Sequence, residues 1–220
     1  MKKEINERFG KIFKDIEYEV FKNLKKTPHT PSVNICQTHF EILTLSAASY
    51  NSHTSDGDII EIGCAEGGSA EIILNYKPKN KKFFVCDTFE GLKDISEAED
   101  GSSKLKNGDI SVSLEAFSTI VKSHPDVIIK KGYFPDDSIN DFENQKFSLA
   151  HLDVDTYLST LKCLNFLHDK MSKNSLIIVH DYNTHLPGVT KAVNEFCSEK
   201  NMENHYIEIR TNSQTLISYA

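Results

Sequence analysis

Between residues 3 and 26 the apolar positions Ile5, Phe9, Ile12, Phe13, Ile16, Val20, Phe21 and Leu24 recur mostly three or four apart. That spacing predicts an amphipathic helix. Pro28 and Pro31 stop it. A second helix is expected over 39–50, and a turn-rich stretch over 51–57 follows. Short apolar runs then alternate with helical periodicity. Strands are predicted over 58–62, 82–86, 126–130, 147–152 and 175–179. Helices are predicted over 69–74, 111–122, 157–171 and 188–197, with a short turn or helix over 135–142. A closing pair of strands, 205–209 and 215–219, flanks Asn212-Ser213. Its tight polar turn requires the two to be antiparallel. The regular alternation predicts an α/β fold: a doubly wound, mostly parallel seven-stranded sheet with a C-terminal antiparallel hairpin. The chain divides into N-terminal helices over 1–57, a substrate or oligomer region, and a sheet domain over 58–220. The polar residues 92–110 predict a mobile loop, a candidate lid.

Composition narrows the class. The 220 residues carry 25 Lys and Arg against 32 Asp and Glu, a formal charge of −7. An acidic chain lacks the electrostatic footprint of a nucleic-acid binder. No apolar run approaches the roughly 20 residues needed to span a bilayer, and no secretory pattern follows Met1, so no membrane partner is expected. Five scattered cysteines, none in a CxxC pair, fit buried thiols in a reducing cytoplasm.

The chemistry gathers where strands end, and that is where open α/β sheets bind ligands. Glu61-Ile-Gly-Cys-Ala-Glu-Gly-Gly-Ser69 joins the first strand to its helix. Glycines there let the backbone turn and approach a ligand. The dinucleotide pattern GxGxxG is incomplete, because Ala65 stands at its second glycine. Glu66 adds a negative charge where a pyrophosphate would lie, so a ligand without phosphates, such as S-adenosylmethionine, fits better. Asp87 ends the next strand, where an acid can accept from both ribose hydroxyls. His151-Leu-Asp153-Val-Asp155 and His180-Asp181 end two further strands. Carboxylates gathered there repel unless a cation or a proton intervenes, and Mg²⁺ held by a few oxygens keeps waters that a substrate can replace. Asp153 and Asp181 are the strongest candidates. Asp155 serves equally well as a helix N-cap, His151 reads as a packed or surface histidine, and His180 as a ligand or a neighbour of one.

Over residues 58–196 the chain resembles the macrocin-type sugar O-methyltransferases. The resemblance is carried by Glu61–Ser69, Asp87-Thr-Phe-Glu-Gly-Leu92, Ser111-Val-Ser-Leu-Glu-Ala-Phe117, Lys131-Gly-Tyr-Phe134, His151-Leu-Asp-Val-Asp-Thr-Tyr157, Asp181-Tyr182 and Pro187-Gly-Val-Thr-Lys-Ala-Val-Asn-Glu-Phe196. It implies a Rossmann-like class I methyltransferase fold and S-adenosylmethionine as cofactor. It places Gly63 and Gly67 by the methionine part, Ser69 near its carboxylate, Asp87 on the ribose with Thr88 and Phe89 beside it, and Tyr133 and Phe134 by adenine. Glu61 and Glu66 belong to the same cofactor-binding turn. Asp153, His180 and Asp181 fall on metal-ligand positions, for Mg²⁺ or Mn²⁺. The family usually has two consecutive acids where this chain has His180-Asp181, and imidazole suits Mn²⁺ and later metals better than Mg²⁺.

The implied reaction is methylation of a hydroxyl on a sugar or similar polyol, free or part of a glycosylated or nucleotide-linked metabolite, with metal assistance. Catechol O-methyltransferases, whose glycine turn is similar, have a lysine where this chain has Thr156. Asp153, Asp155, His180 and His185 are the candidate bases, Asp153 first and His185 second. Two rivals remain at this stage. One is an NAD-dependent oxidoreductase, disfavoured by Glu66 and the missing glycine. The other is a non-catalytic cofactor-binding protein with a degraded metal site. The N-terminal segment 3–26 could supply a homo-oligomer face.

Overall fold

A computed structural model of the chain describes residues 38–209 and 213–220. The helix expected over 3–26 and Asn212 of the closing turn lie outside the described residues. Helix α1 spans His39–Asn51, α2 Gly68–Tyr76, α3 Glu97–Asp100, α4 Leu114–Val121, α5 Tyr157–His168 and α6 Pro187–Glu199. Strands are β1 Asp58–Ile62, β2 Phe83–Asp87, β3 Val127–Lys131, β4 Phe147–Leu152, β5 Met171–Val179, β6 Tyr206–Glu208 and β7 Thr215–Tyr219. They form one sheet in the order β3-β2-β1-β4-β5-β7-β6. β1 to β5 are parallel, and β7 runs antiparallel to both β5 and β6. The expected mixed sheet and its closing hairpin are both present.

Burial explains the apolar runs. All six residues of β4 are buried, as parallel strands covered on both faces must be. Ile59, Leu149 and Ile178 pack against Leu45 of α1, Ile72 of α2 and Phe117 of α4. Ile60, Ala150 and Ile177 face the other way, onto Leu164 of α5 and Val193 and Phe196 of α6. Helix starts follow local chemistry. Thr38 and Glu41 form a capping box on α1, Ser113 caps α4, and Pro187 opens α6.

Two expectations need correction. The helix predicted over 157–171 ends at His168, and β5 begins at Met171 rather than at 175. Met171 is buried beside Phe147 in the sheet, so its apolar side chain serves the strand. The predicted mobile loop is also built. It contains α3 and a 3-10 turn over Gly101–Ser103. Its base is closed by the Leu92 N–H on the Asp109 carbonyl and the Gly108 N–H on the Leu92 carbonyl, both 2.9 Å. Asp100, 2% exposed, accepts from the Ser96 N–H and from the Tyr157 N–H at the start of α5. Among the described residues no helix is long and apolar enough to cross a membrane.

Candidate active site

β1 and β4 are neighbours, but their following helices, α2 and α5, lie on opposite faces of the sheet. A crevice opens at such a reversal, beyond the carboxyl ends of the strands. Here it is a cavity of about 530 Å³, within the usual size range of small-molecule sites.

The β1–β2 end of the cavity is shaped by backbone. Gly63 takes φ 83°, and a Cβ on it would run into the Asp153 carbonyl. Glycine at this position therefore lets the ends of β1 and β4 close against each other. Gly67, at φ 93°, is the N-cap of α2 and backs onto the Phe117 ring. Asp87 is held by its surroundings: Oδ2 accepts from the Cys64 N–H at 2.8 Å and Oδ1 from the Phe89 N–H at 2.7 Å. A carboxylate has about four acceptor positions, so both oxygens keep capacity for a ligand diol. Glu66, Ser69, Thr88, Tyr133 and Phe134 line the same region. The Tyr133 hydroxyl and the Ser159 hydroxyl share a hydrogen bond of 3.0 Å.

The β4–β5 end is shaped by side chains. Leu152 and Val179 are register partners, so Asp153 and His180, one residue on, emerge side by side. The His180 Nδ1 lies 2.8 Å from Asp181 Oδ2 and 3.4 Å from Asp153 Oδ1. One ligand atom from each of Asp153, His180 and Asp181 falls within 4.8 Å of the others. One imidazole and two carboxylates suit an octahedral divalent ion that keeps positions for solvent or substrate. Asp155 and Asp181 both take left-handed φ values, 61° and 59°, and both line the cavity. Asp155 is not a cap, because α5 starts at Tyr157 with Thr156 as its N-cap.

Charge in this cluster is shared unevenly. Burial alone raises a carboxyl pKa. For Asp153 burial is the largest single influence, but the charge and hydrogen bond of His180 and the charge of His151 together outweigh it, and the pKa falls below the usual range. For Asp155 burial comes first, and with the charges of Asp153 and Asp181 it outweighs the smaller pull of His180 and pushes the pKa well up. Burial opposes the charged form of His180, but Asp153, Asp181 and Glu41 reverse this and hold its pKa well above the ordinary value.

Four expected site residues do not line the cavity. Glu61 points back into the fold as a fully buried partner of His151, Oε1 to Nδ1 at 2.9 Å. The two face each other in β1–β4 register, so the pair sits beneath the cavity floor. Gly67 and the buried Phe89, whose ring packs on Phe117, stand behind the wall. His185 is exposed beyond the cavity. In their place, Leu92, Ile110 and Val112 reach the cavity from the ordered loop. These apolar residues at the edges of a polar stretch were the available signal for them. Glu41, which meets His180, carries no local signal beyond its place in a capping box.

Residues 14–215 match the model of the macrocin-O-methyltransferase (TylF) family. The chain belongs to that family. This macrocin-O-methyltransferase family member is 27% identical over 139 residues to the 8-demethyl-8-(2,3-dimethoxy-alpha-L-rhamnosyl)-tetracenomycin-C 4'-O-methyltransferase of Streptomyces olivaceus, covering 57% of this chain and 53% of that protein. The match thus spans about half the length of that curated relative. Among solved structures, the O-methyltransferase NovP is similar with a TM-score of 0.68 at 21% identity, over 81% of this chain and 79% of that one. CalS11, a calicheamicin methyltransferase, is similar with a TM-score of 0.67 at 13% identity, over 96% of this chain and 92% of that one. At these identities the two structures establish the fold, that of the class I methyltransferases.

Proposed function

We propose that this family member is an S-adenosylmethionine-dependent O-methyltransferase acting on a hydroxyl of a sugar or similar polyol, with a divalent metal at Asp153, His180 and Asp181. One observation carries the reading: the diol-accepting end at Asp87 and the acid–imidazole cluster open into a single cavity. A cofactor lying along β1 and β2 thereby directs its far end toward the acids. The tetracenomycin relative, named for methylation on a rhamnosyl group, supports a sugar acceptor.

When bound, the cofactor supplies an electrophilic methyl group, and the metal supplies a charge that lowers the pKa of a hydroxyl. The protein's part is positioning and proton handling. Asp87 orients the ribose, and Tyr133 and Phe134 offer flat apolar surface to adenine. Asp153 serves as a ligand and is the first candidate to accept the acceptor hydroxyl proton. Asp155, whose pKa burial and the neighbouring acids push up, is the candidate to hold a proton toward an acceptor oxygen. Leu92, Ile110 and Val112 cover the cavity and limit water. The segment before residue 58 and the loop over 92–109 set the choice of acceptor.

The test is methyl transfer from S-adenosylmethionine to a panel of nucleotide-linked and free sugars, read by mass spectrometry, beside calorimetry with S-adenosylhomocysteine and with NAD. A mass gain of one methylene on a sugar is expected, with binding of the homocysteine form and not of NAD. NAD binding with no methylated product would replace this reading with an oxidoreductase.

A further inference from the structure

Glu41 stands in the first turn of α1, distant in sequence from the whole acid cluster, and is 2% exposed. A buried carboxylate requires donors. The Thr38 N–H donates to Oε2 at 2.5 Å and closes the capping box. The Ser213 N–H, at 2.9 Å, and the Ser213 hydroxyl donate to Oε1. Capping thus accounts for one oxygen only. The other faces His180, with Oε1 3.7 Å from Nε2. Ser213 is tied to the site as well, since its carbonyl accepts from the Tyr182 N–H at 2.8 Å, the residue after Asp181.

The two nitrogens of His180 therefore have separate surroundings. Nδ1 is turned to Asp181 and Asp153. Nε2 is buried without a hydrogen-bond partner among the described residues, and the carboxylate it faces is Glu41. If Nδ1 is to offer a lone pair beside two carboxylates, the proton of the neutral ring must sit on Nε2. Histidine ligands commonly direct that second N–H at a carboxylate, which fixes tautomer and ring orientation.

We infer that Glu41 is a positioning residue for His180, holding the proton on Nε2 and Nδ1 toward Asp153 and Asp181, and that it thereby sets the affinity for the divalent ion. The inference rests on the metal reading proposed above. It also makes Glu41 and His180 a matched pair, because an acid at position 180 would meet Glu41 as a like charge.

The test is Mn²⁺ titration of the whole chain, followed by electron paramagnetic resonance, with thermal melts as a check on folding. Glu41→Gln should weaken Mn²⁺ binding about 10–100-fold. In an H180A background the same change should have less than about a twofold effect, the signature of coupling through one residue. In an H180D background E41Q should strengthen binding, because it removes a like charge. Equal weakening by E41Q with and without His180, or no weakening in the wild type, overturns the inference. Should E41Q fail to fold, S213A takes its place; it removes one donor to Glu41 and should weaken Mn²⁺ about two- to tenfold, and an unchanged affinity overturns the inference. Wild-type protein that binds no Mn²⁺ sinks the metal reading and the inference with it. Binding that D181N abolishes but E41Q leaves alone sinks the inference only.

Discussion

At the β1–β2 end of the cavity the main chain does the holding, while at the β4–β5 end side chains do. Gly63 and the turn to α2 shape one wall, and backbone N–H groups of Cys64 and Phe89 fix Asp87 in place. Across the cavity, Asp153, Asp155 and Asp181 gather near one imidazole, and the pKa shifts of Asp153, Asp155 and His180 arise in part from one another's charges. A wall of backbone and one anchored charge suits a constant ligand. A cluster of mutually dependent charges suits a step in which charge and protons move. The first end should therefore govern cofactor affinity, and the second the rate.

Four changes test that division, the largest first. Asp153→Asn should lower kcat/KM by about 10³-fold or more, the scale of losing a charge that acts in the transition state. Calorimetry should meanwhile find S-adenosylhomocysteine binding within about threefold of wild type; a comparable loss of cofactor affinity would erase the distinction between the two ends. Stripping divalent ions with a chelator should reduce turnover at least about 100-fold, with recovery on adding Mn²⁺ or Mg²⁺, and full activity in chelator would remove the metal from the mechanism. Asp87→Ala gives up the charge-assisted hydrogen bonds from the Cys64 and Phe89 N–H groups as well as the proposed ribose contacts. It should weaken S-adenosylhomocysteine about 10–100-fold and leave Mn²⁺ affinity unchanged.

The smallest effects belong to the surroundings. Asp100→Ala unties the ordered loop from the start of α5, a capping-type bond of ~1 kcal/mol. The melting temperature should drop by about 2–4 °C for a chain of this size. The acceptor KM should rise a few-fold while the cofactor Kd stays put. A shift in cofactor affinity instead would assign the loop to the other end of the cavity.

The two ends also differ in how far they could be read without a structure. The turn from Gly63 to Ser69 and the acid that ends β2 are local features, set by the alternation of apolar runs and by glycine's backbone freedom. Asp153 and Asp181 were visible for the same reason, as polar residues closing apolar runs. Glu61 misled because it sits inside the glycine-turn motif, yet period-two alternation puts its side chain toward His151 rather than the cavity. His185 misled because a loop histidine next to a functional strand end is no guarantee that the loop turns inward. The loop over 92–110 is polar in sequence, yet it holds α3 and the buried Asp100, which the Ser96 and Tyr157 N–H groups satisfy.

Taken alone, the sequence determined the elements, their order, the mixed sheet and the strand ends where chemistry gathers, because these follow from periodicity, turn residues and the rules of α/β connection. Tertiary structure alone decided which strand ends face one another, since the register of β4 on β5 is what brings His180 against Asp153. It alone decided that the Asp155 pKa is pushed up while that of Asp153 is drawn down, because burial and neighbouring charge depend on the whole fold. And it alone brought Glu41 to His180, a meeting of residues from α1 and the end of β5 that no local pattern encodes.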